Sequence, residues 1–165
     1  MIVSLDADFL AEGPGRLAYA RQFAGRRRVR AVGDTMSRLY AVESTPTLTG
    51  AAADHRQAVK PSEIEAIASA LARAIDLNVP IEAGTAAAAL ARSWVAAAAD
   101  ALREAGRRAV VIAGTHQTAY VHALAMTINQ RLGSARVAFI SPPHAMPVDR
   151  DLGALGHEVD AGAAA

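Results

Sequence analysis

The sequence predicts an α/β fold, a mostly parallel sheet of about four short strands flanked by helices. Short apolar runs of strand length occur at residues 1–5, 39–42, 109–114 and 136–140. Segments with helical spacing of apolar residues lie between several of these runs. The run at 109–114 (AVVIAG) is apolar throughout, as strands covered on both faces are. Strands that alternate with helices indicate right-handed crossovers and a parallel sheet.

The first strand, residues 1–5, ends at Asp6-Ala7-Asp8, and a Gly-Pro-Gly turn precedes a helix that extends to about residue 28. The residues of this helix predicted to face inward are Leu17, Ala20, Phe23 and Ala24. The second strand, residues 39–42, leads into a loop in which Pro46 and Gly50 are expected to prevent regular structure.

A helix is predicted next, because Ser62 and Glu65 form an S-x-x-E capping box. Its apolar residues recur at helical spacing: Ile64, Ile67, Ala68, Leu71 and Ile75. The composition shift at 78–84 is compatible with a boundary between two subdomains of one α/β region covering 1–165. An alanine-rich helix follows at 85–105, with Gly106 as its terminating residue.

The strand at 109–114 is followed by a turn at 115–118 and another helix, closed by Gly133. The inward-facing residues of that helix are predicted to be Val121, Leu124, Ala125, Ile128 and Leu132. A fourth strand at 136–140 and a weak helix at 149–159 complete the expected elements.

Composition excludes several classes of function. The chain has no cysteine, so it cannot build an iron–sulfur cluster, a disulfide or a thiolate zinc site from its own residues. Its net charge of +1 gives no electrostatic argument for binding nucleic acid or an anionic membrane. No run of apolar residues is long enough for a membrane span. The sequence patterns of the P-loop, the G-x-G-x-x-G dinucleotide site and the G-x-S-x-G nucleophile elbow do not occur.

The loop after the second strand is the first candidate binding site, since open α/β sheets hold phosphate-bearing ligands at the carboxyl ends of strands. It is rich in hydroxyl side chains and closes on an acidic and a basic residue: Ser44, Thr45, Thr47, Thr49, Asp54 and Arg56. Hydroxyls and amides can donate to an anion, and Arg56 can add charge. Alternatively, the Ser and Thr side chains satisfy their own backbone in a rigid connection.

The second candidate is the turn Gly114, Thr115, His116 and Gln117, at a strand end and a helix amino terminus, where free amides favour an anion. His116 and His122 do not share a helix face, so they are not expected to form a metal site. Asp6 and Asp8 could together hold a cation or a ribose, although helix capping or simple solvation is the simpler interpretation.

Two segments resemble a known family. The run SRLYAVESTPTLTGAAADHR resembles the molybdopterin oxidoreductase family, in which a strand leads into a T-x-T-A-x-x-A-D element. It is most similar to the iron–sulfur/molybdopterin-like large subunits of respiratory alternative complex III, which typically carry NRLYVVESTPTLTGAMADHR. The run VIAGTHQTAYVHALAMTINQRLG resembles a G-x-H-Q-x-x-x-V-H-A-L-A segment of the same subunits. Members that bind the cofactor usually continue A-D-x-x-L-P, whereas this chain continues with His55-Arg56-Gln57.

The resemblance implies a non-catalytic scaffold portion of a longer polypeptide, within a membrane-associated respiratory complex that passes electrons from quinol to a periplasmic acceptor. It implies a periplasmic location, other segments and subunits of the complex as partners, no cofactor in this chain, and iron–sulfur clusters only on other segments. The alternative is a fragment of an active enzyme that binds molybdopterin guanine dinucleotide through the two candidate loops. A third hypothesis is an independent small-ligand module with its anion site at 114–117.

Overall fold

The computed structural model describes residues 1–79 and 92–134 and contains a four-stranded, all-parallel sheet in the order β3-β2-β1-β4. The strands are β1 (Ile2–Leu5), β2 (Leu39–Glu43), β3 (His55–Ala58) and β4 (Val110–Ala113). Ile2 is paired with Leu39 on one side and with Val110 on the other. The α/β fold class with a parallel sheet of four strands flanked by helices is therefore confirmed.

Five helices accompany these strands within the described residues: α1 (Arg16–Arg26), α2 (Leu48–Ala51), α3 (Ile64–Ala74), α4 (Arg92–Ala105) and α5 (Ala119–Arg131). Short 3₁₀ turns at Pro61–Glu63 and Gly106–Arg108 precede α3 and follow α4. The start of the alanine-rich helix, the strand at 136–140, the helix at 149–159 and most of the boundary at 78–84 lie outside the described residues.

The main core lies on one face of the sheet. Alternate strand residues point to it, including Val3, Leu5, Val42 and Val111, and α3, α4 and α5 cover them. The inward-facing residues predicted for α3 are all buried, and so are Val121, Leu124, Ala125 and Ile128 of α5. At the edge of this core the indole Nε1 of Trp94 donates a hydrogen bond to the carbonyl of His55 at 3.1 Å, which joins α4 to β3.

The opposite face of the sheet is covered by α1 alone among the described helices, and here the prediction was partly wrong. Phe23 is buried, but Leu17 is 79% exposed and Ala24 is exposed. The sequence RLAYARQFAGR places apolar residues around the whole helix, so its spacing does not define the inward face. Val110 and Ile112 of β4 are only half-buried, so this strand is not covered on both faces as its composition suggested.

The segment after β2 is also more regular than predicted. Gly50 lies within α2, and Thr47 caps that helix by accepting a hydrogen bond from the Gly50 amide at 2.9 Å. The fourth strand of the described sheet is β3 (HRQA), in a stretch that the sequence predicts to belong to the loop. Its residues are mostly exposed at the sheet edge, so no apolar alternation marks it.

Two polar contacts around α3 and α5 differ from the predicted capping box. Glu63 rather than Glu65 reaches back, accepting from the Lys60 amide at 2.8 Å. Glu65 instead accepts from the Thr118 hydroxyl at 3.1 Å, which joins α3 to the start of α5.

The side chain of Asn129 on α5 pairs with the outer edge of β4. It accepts from the Val111 amide at 2.8 Å and donates to the Val111 carbonyl at 2.7 Å. These two groups face away from β1, because the neighbouring Val110 amide bonds to the β1 side. Asn129 thus takes the place of a neighbouring strand at this position.

Candidate functional site

The candidate site lies at the carboxyl edge of the sheet, where the direction of winding reverses. The chain moves from β1 outward to β2 and β3, and then crosses to the other side of β1 to form β4. The crevice between the carboxyl ends of β1 and β4 is the usual ligand position in open α/β sheets. Residues from both predicted loops reach this crevice.

Asp6, immediately after β1, joins the two loops. Its Oδ1 accepts from the Ser44 amide at 2.8 Å, and its Oδ2 accepts from the Ser44 hydroxyl at 2.9 Å. The same Oδ2 accepts from Nε2 of His116 at 3.0 Å and from Nε2 of Gln117 at 2.9 Å. The Asp6 side chain is 4% exposed and its φ is 55°, in the left-handed region that Asp tolerates better than most residues. Asp6 is therefore neither a helix cap nor a solvated residue.

The charged form of Asp6 is favoured in the fold. Burial alone would raise the pKa of this carboxyl, but the hydrogen bonds from His116 and Ser44 outweigh burial and lower the pKa below its ordinary value. Gly114 lies directly against the main-chain carbonyl of Asp6, where a Cβ atom would overlap it. The absence of a Cβ atom at position 114 therefore allows the turn to approach β1 closely.

Two further carboxylates accept hydrogen bonds from hydroxyl side chains of the loop after β2. Asp8 accepts from the Thr49 hydroxyl at 2.7 Å and from the Thr49 amide at 3.0 Å. Glu43, at the end of β2, is buried and accepts from the Thr47 hydroxyl at 2.6 Å. Arg56 forms an ion pair with the same Glu43 carboxylate.

The remaining predicted residues do not join this cluster. Asp54 lies near the opposite, amino-terminal end of β2, where it accepts from the Leu39 amide at 2.8 Å. It also forms a bidentate ion pair with Arg27, with N···O distances of 2.7 and 2.8 Å. The hydrogen bonds from Arg27 lower the pKa of the Asp54 carboxyl. Thr45 and Thr115 are exposed.

The chemistry open to this cluster is limited. His116 is 58% exposed and is oriented by a buried carboxylate, as a general base often is. However, the Ser44 hydroxyl donates to Asp6 and not to His116, so the contacts do not form the Ser-His-Asp relay that activates a nucleophile. In the part of the chain that the structure describes, no three metal-ligating side chains form a group that could hold a metal ion.

Sequence reasoning named Asp6 only together with Asp8, as a site for a cation or a ribose, and assigned no role to Glu43, the partner of the loop. Asp6 and Glu43 are acidic residues at the carboxyl ends of predicted strands, which was a visible signal. The partners of Asp6 are far away in sequence: Ser44 lies 38 positions after it, and His116 lies 110 positions after it.

No helix within the described ranges is long and apolar enough to cross a membrane. No protein-family model and no curated protein matches this chain.

Proposed function

We propose that this chain is a non-catalytic scaffold portion of a molybdopterin-oxidoreductase-like subunit in a respiratory quinol:acceptor electron-transfer complex. The proposal starts from the resemblance at residues 38–59 and 110–133. The observation that carries it is that the hydroxyl side chains of the loop after β2 donate hydrogen bonds to the chain's own carboxylates. Ser44, Thr47 and Thr49 donate to Asp6, Glu43 and Asp8, respectively.

This arrangement does not fit the pyrophosphate of a pterin guanine dinucleotide. An anion needs free donors and positive charge, but three carboxylates line this edge and take up the hydroxyls. Arg56, the cation expected to approach a phosphate, is paired with Glu43. His116 and Gln117 also donate to Asp6, which weakens the case for an independent anion site at 114–117. Binding an anion here would require breaking several charge-assisted hydrogen bonds, at about 1.5–3 kcal/mol each.

In this proposal the polar cluster has a structural role. Asp6 ties the ends of β1 and β2 to the turn before α5, and these elements would form a rigid α/β layer for neighbouring segments. Electron transfer would occur on other segments, because this chain has no cysteine to hold an iron–sulfur cluster.

Analysis of the full-length native protein tests the proposal. A tag is added to the chromosomal gene, the protein is purified from membranes in mild detergent, and its molybdenum, pterin and co-purifying polypeptides are measured. We expect less than stoichiometric molybdenum and pterin, together with cysteine-rich iron–sulfur sequence and quinol-oxidising subunits. One pterin per chain would reject the scaffold proposal in favour of an active cofactor-binding enzyme.

A further inference from the structure

The sheet face that carries α1 has an unusual surface. Five of the eight exposed large hydrophobic residues in the described parts of the chain fall between positions 17 and 36: Leu17, Tyr19, Val29, Val32 and Met36. The stretch 16–38 also contains seven arginines and one acidic residue, Asp34. The Asp34 carboxylate accepts from the backbone amides of Arg30 and Ala31. The surface is therefore both apolar and strongly basic.

An apolar cavity of about 390 Å³ opens on this face. Phe9 and Phe23 form one side of it, and their rings meet edge-to-face at 6.0 Å. The half-buried side chains of Ile2, Val110 and Ile112 line its floor on the sheet. A depression of this kind fits a single bulky apolar side chain, as the central pocket of a protein interface does.

A second cavity, of about 600 Å³, adjoins the first and shares Ile2, Arg26, Ser37 and Val110 with it. Three arginines line it: Arg26, Arg38 and Arg108. Arg27, Arg56 and Arg103 form ion pairs with carboxylates. Within residues 1–79 and 92–134, by contrast, the three lining guanidinium groups pair with no carboxylate. Glu104 is the acidic residue of this lining.

We propose that this face is an interaction surface for an acidic protein segment. The segment places a bulky apolar side chain in the cavity beside Phe23 and its carboxylates against Arg26, Arg38 and Arg108. Charge complementarity identifies the partner as acidic, and the concave apolar floor identifies its anchor as a single large side chain. The inference does not depend on the proposed function, because it uses a face of the sheet that the carboxyl-edge cluster does not occupy.

Two other occupants are less compatible with these observations. A flat membrane surface would leave the concave floor of Ile2, Val110 and Ile112 unfilled, whereas one apolar side chain of a protein segment fills it. A second copy of the chain in a two-fold dimer would bring the same arginine-rich patch against itself, which like charges disfavour.

Selection from a random library tests the proposal with all 165 residues of the chain. Phage-displayed peptides of about twelve residues, long enough for three helical turns, are selected on the wild-type protein. Selection is counter-screened on the triple variant Arg26→Glu, Arg38→Glu, Arg108→Glu. Enriched peptides are synthesised and titrated by fluorescence anisotropy at low and high salt. Arg131→Glu, on α5 and the other face of the sheet, is the matched control, and Tyr19→Ala tests the apolar cavity.

The expected peptides combine Asp or Glu with Phe, Leu or Trp. Loss of three exposed ion pairs predicts roughly a tenfold weaker affinity for the triple variant, with a smaller loss for Tyr19→Ala. The Arg131→Glu control should bind as the wild type does. Circular dichroism checks folding, and the single variants Arg26→Gln and Arg38→Gln replace the triple variant if it unfolds.

Several results would overturn the proposal: no enrichment, enriched peptides without acidic residues, or equal binding to the wild type and the arginine variants. Binding to phosphatidylglycerol vesicles that the variants abolish, in the absence of selectable peptides, would assign the face to lipid instead. A wild-type dimer that the arginine variants dissociate would assign it to self-association.

Discussion

Replacement of Asp6 by asparagine isolates the contribution of the central carboxylate. Asparagine has nearly the same size and also tolerates the left-handed backbone that Asp6 adopts, so sterics and strain change little. The carboxylate accepts four hydrogen bonds. In asparagine an NH2 group replaces one of the two oxygens, so at least one of the four donors would face another donor. A lost hydrogen bond to a buried charged group costs about 1.5–3 kcal/mol, and the others become weaker. We expect the free energy of unfolding to fall by about 2–4 kcal/mol at neutral pH.

Urea denaturation followed by circular dichroism and Trp94 fluorescence measures this change. Asp76→Asn is a close control, because Asp76 also has a positive φ, of 67°, but is exposed. We expect Asp76→Asn to change the unfolding free energy by less than about 0.5 kcal/mol.

The pH dependence gives a second test of the same carboxylate. Since its pKa is lower in the folded than in the unfolded state, ionised Asp6 stabilises the fold above its unfolded pKa of about 4. That stabilisation is lost as the pH falls through the folded pKa. The difference between wild type and Asp6→Asn should therefore be largest near neutral pH and shrink in acid. A wild-type-like stability of Asp6→Asn at neutral pH, or a difference that grows in acid, would show that the ionised carboxylate does not stabilise the fold.

Two other substitutions probe contacts that the sequence did not reveal. Gly50→Ala should destabilise the protein by about 1–3 kcal/mol, because its Cβ would overlap the buried carboxylate of Glu43. Gly25→Ala is the control, because a Cβ near the end of α1 meets open space, and it should stabilise the protein by about 0.5–1 kcal/mol. Thermal melts measure both changes, and equal effects would contradict the overlap between a Cβ at position 50 and Glu43. Asn129→Leu keeps the branching of the side chain at Cγ but leaves the amide and carbonyl of Val111 without their partner, so we expect a loss of about 2–4 kcal/mol and faster hydrogen exchange at the Val111 amide. Unchanged exchange there would show that Asn129 does not protect the edge of β4.

The elements that the sequence predicted well have a strong local signal. The strands β1, β2 and β4 are short apolar runs, and α3 and α5 carry their buried residues at regular helical spacing. The local pattern failed where tertiary contacts decide the structure. The polar edge strand β3 exists because β2 provides a pairing edge, and the inward face of α1 is set by Phe23 at the sheet.

At the site, too, the sequence predicted the local features but not the tertiary contacts. The sequence identified Ser44, His116 and Gln117 as loop residues at strand ends, and the parallel sheet does bring these loops to one edge. It could not show that Asp6 would accept from all three, since that depends on which strand lies between the two loops. The sequence also grouped Asp54 with the hydroxyl side chains of the loop after β2. The extra strand β3 instead places Asp54 at the other end of β2, against Arg27.

The hydroxyl side chains of Ser44, Thr47 and Thr49 at the carboxyl edge of the sheet all donate to the chain's own carboxylates. Titration of the chain with GDP, the pyrophosphate-bearing nucleotide half of the alternative cofactor, measures by isothermal calorimetry whether these donors are free to bind an anion. We expect no saturable heat of binding at millimolar nucleotide. Saturable binding that Ser44→Ala and Thr49→Ala abolish would contradict this expectation.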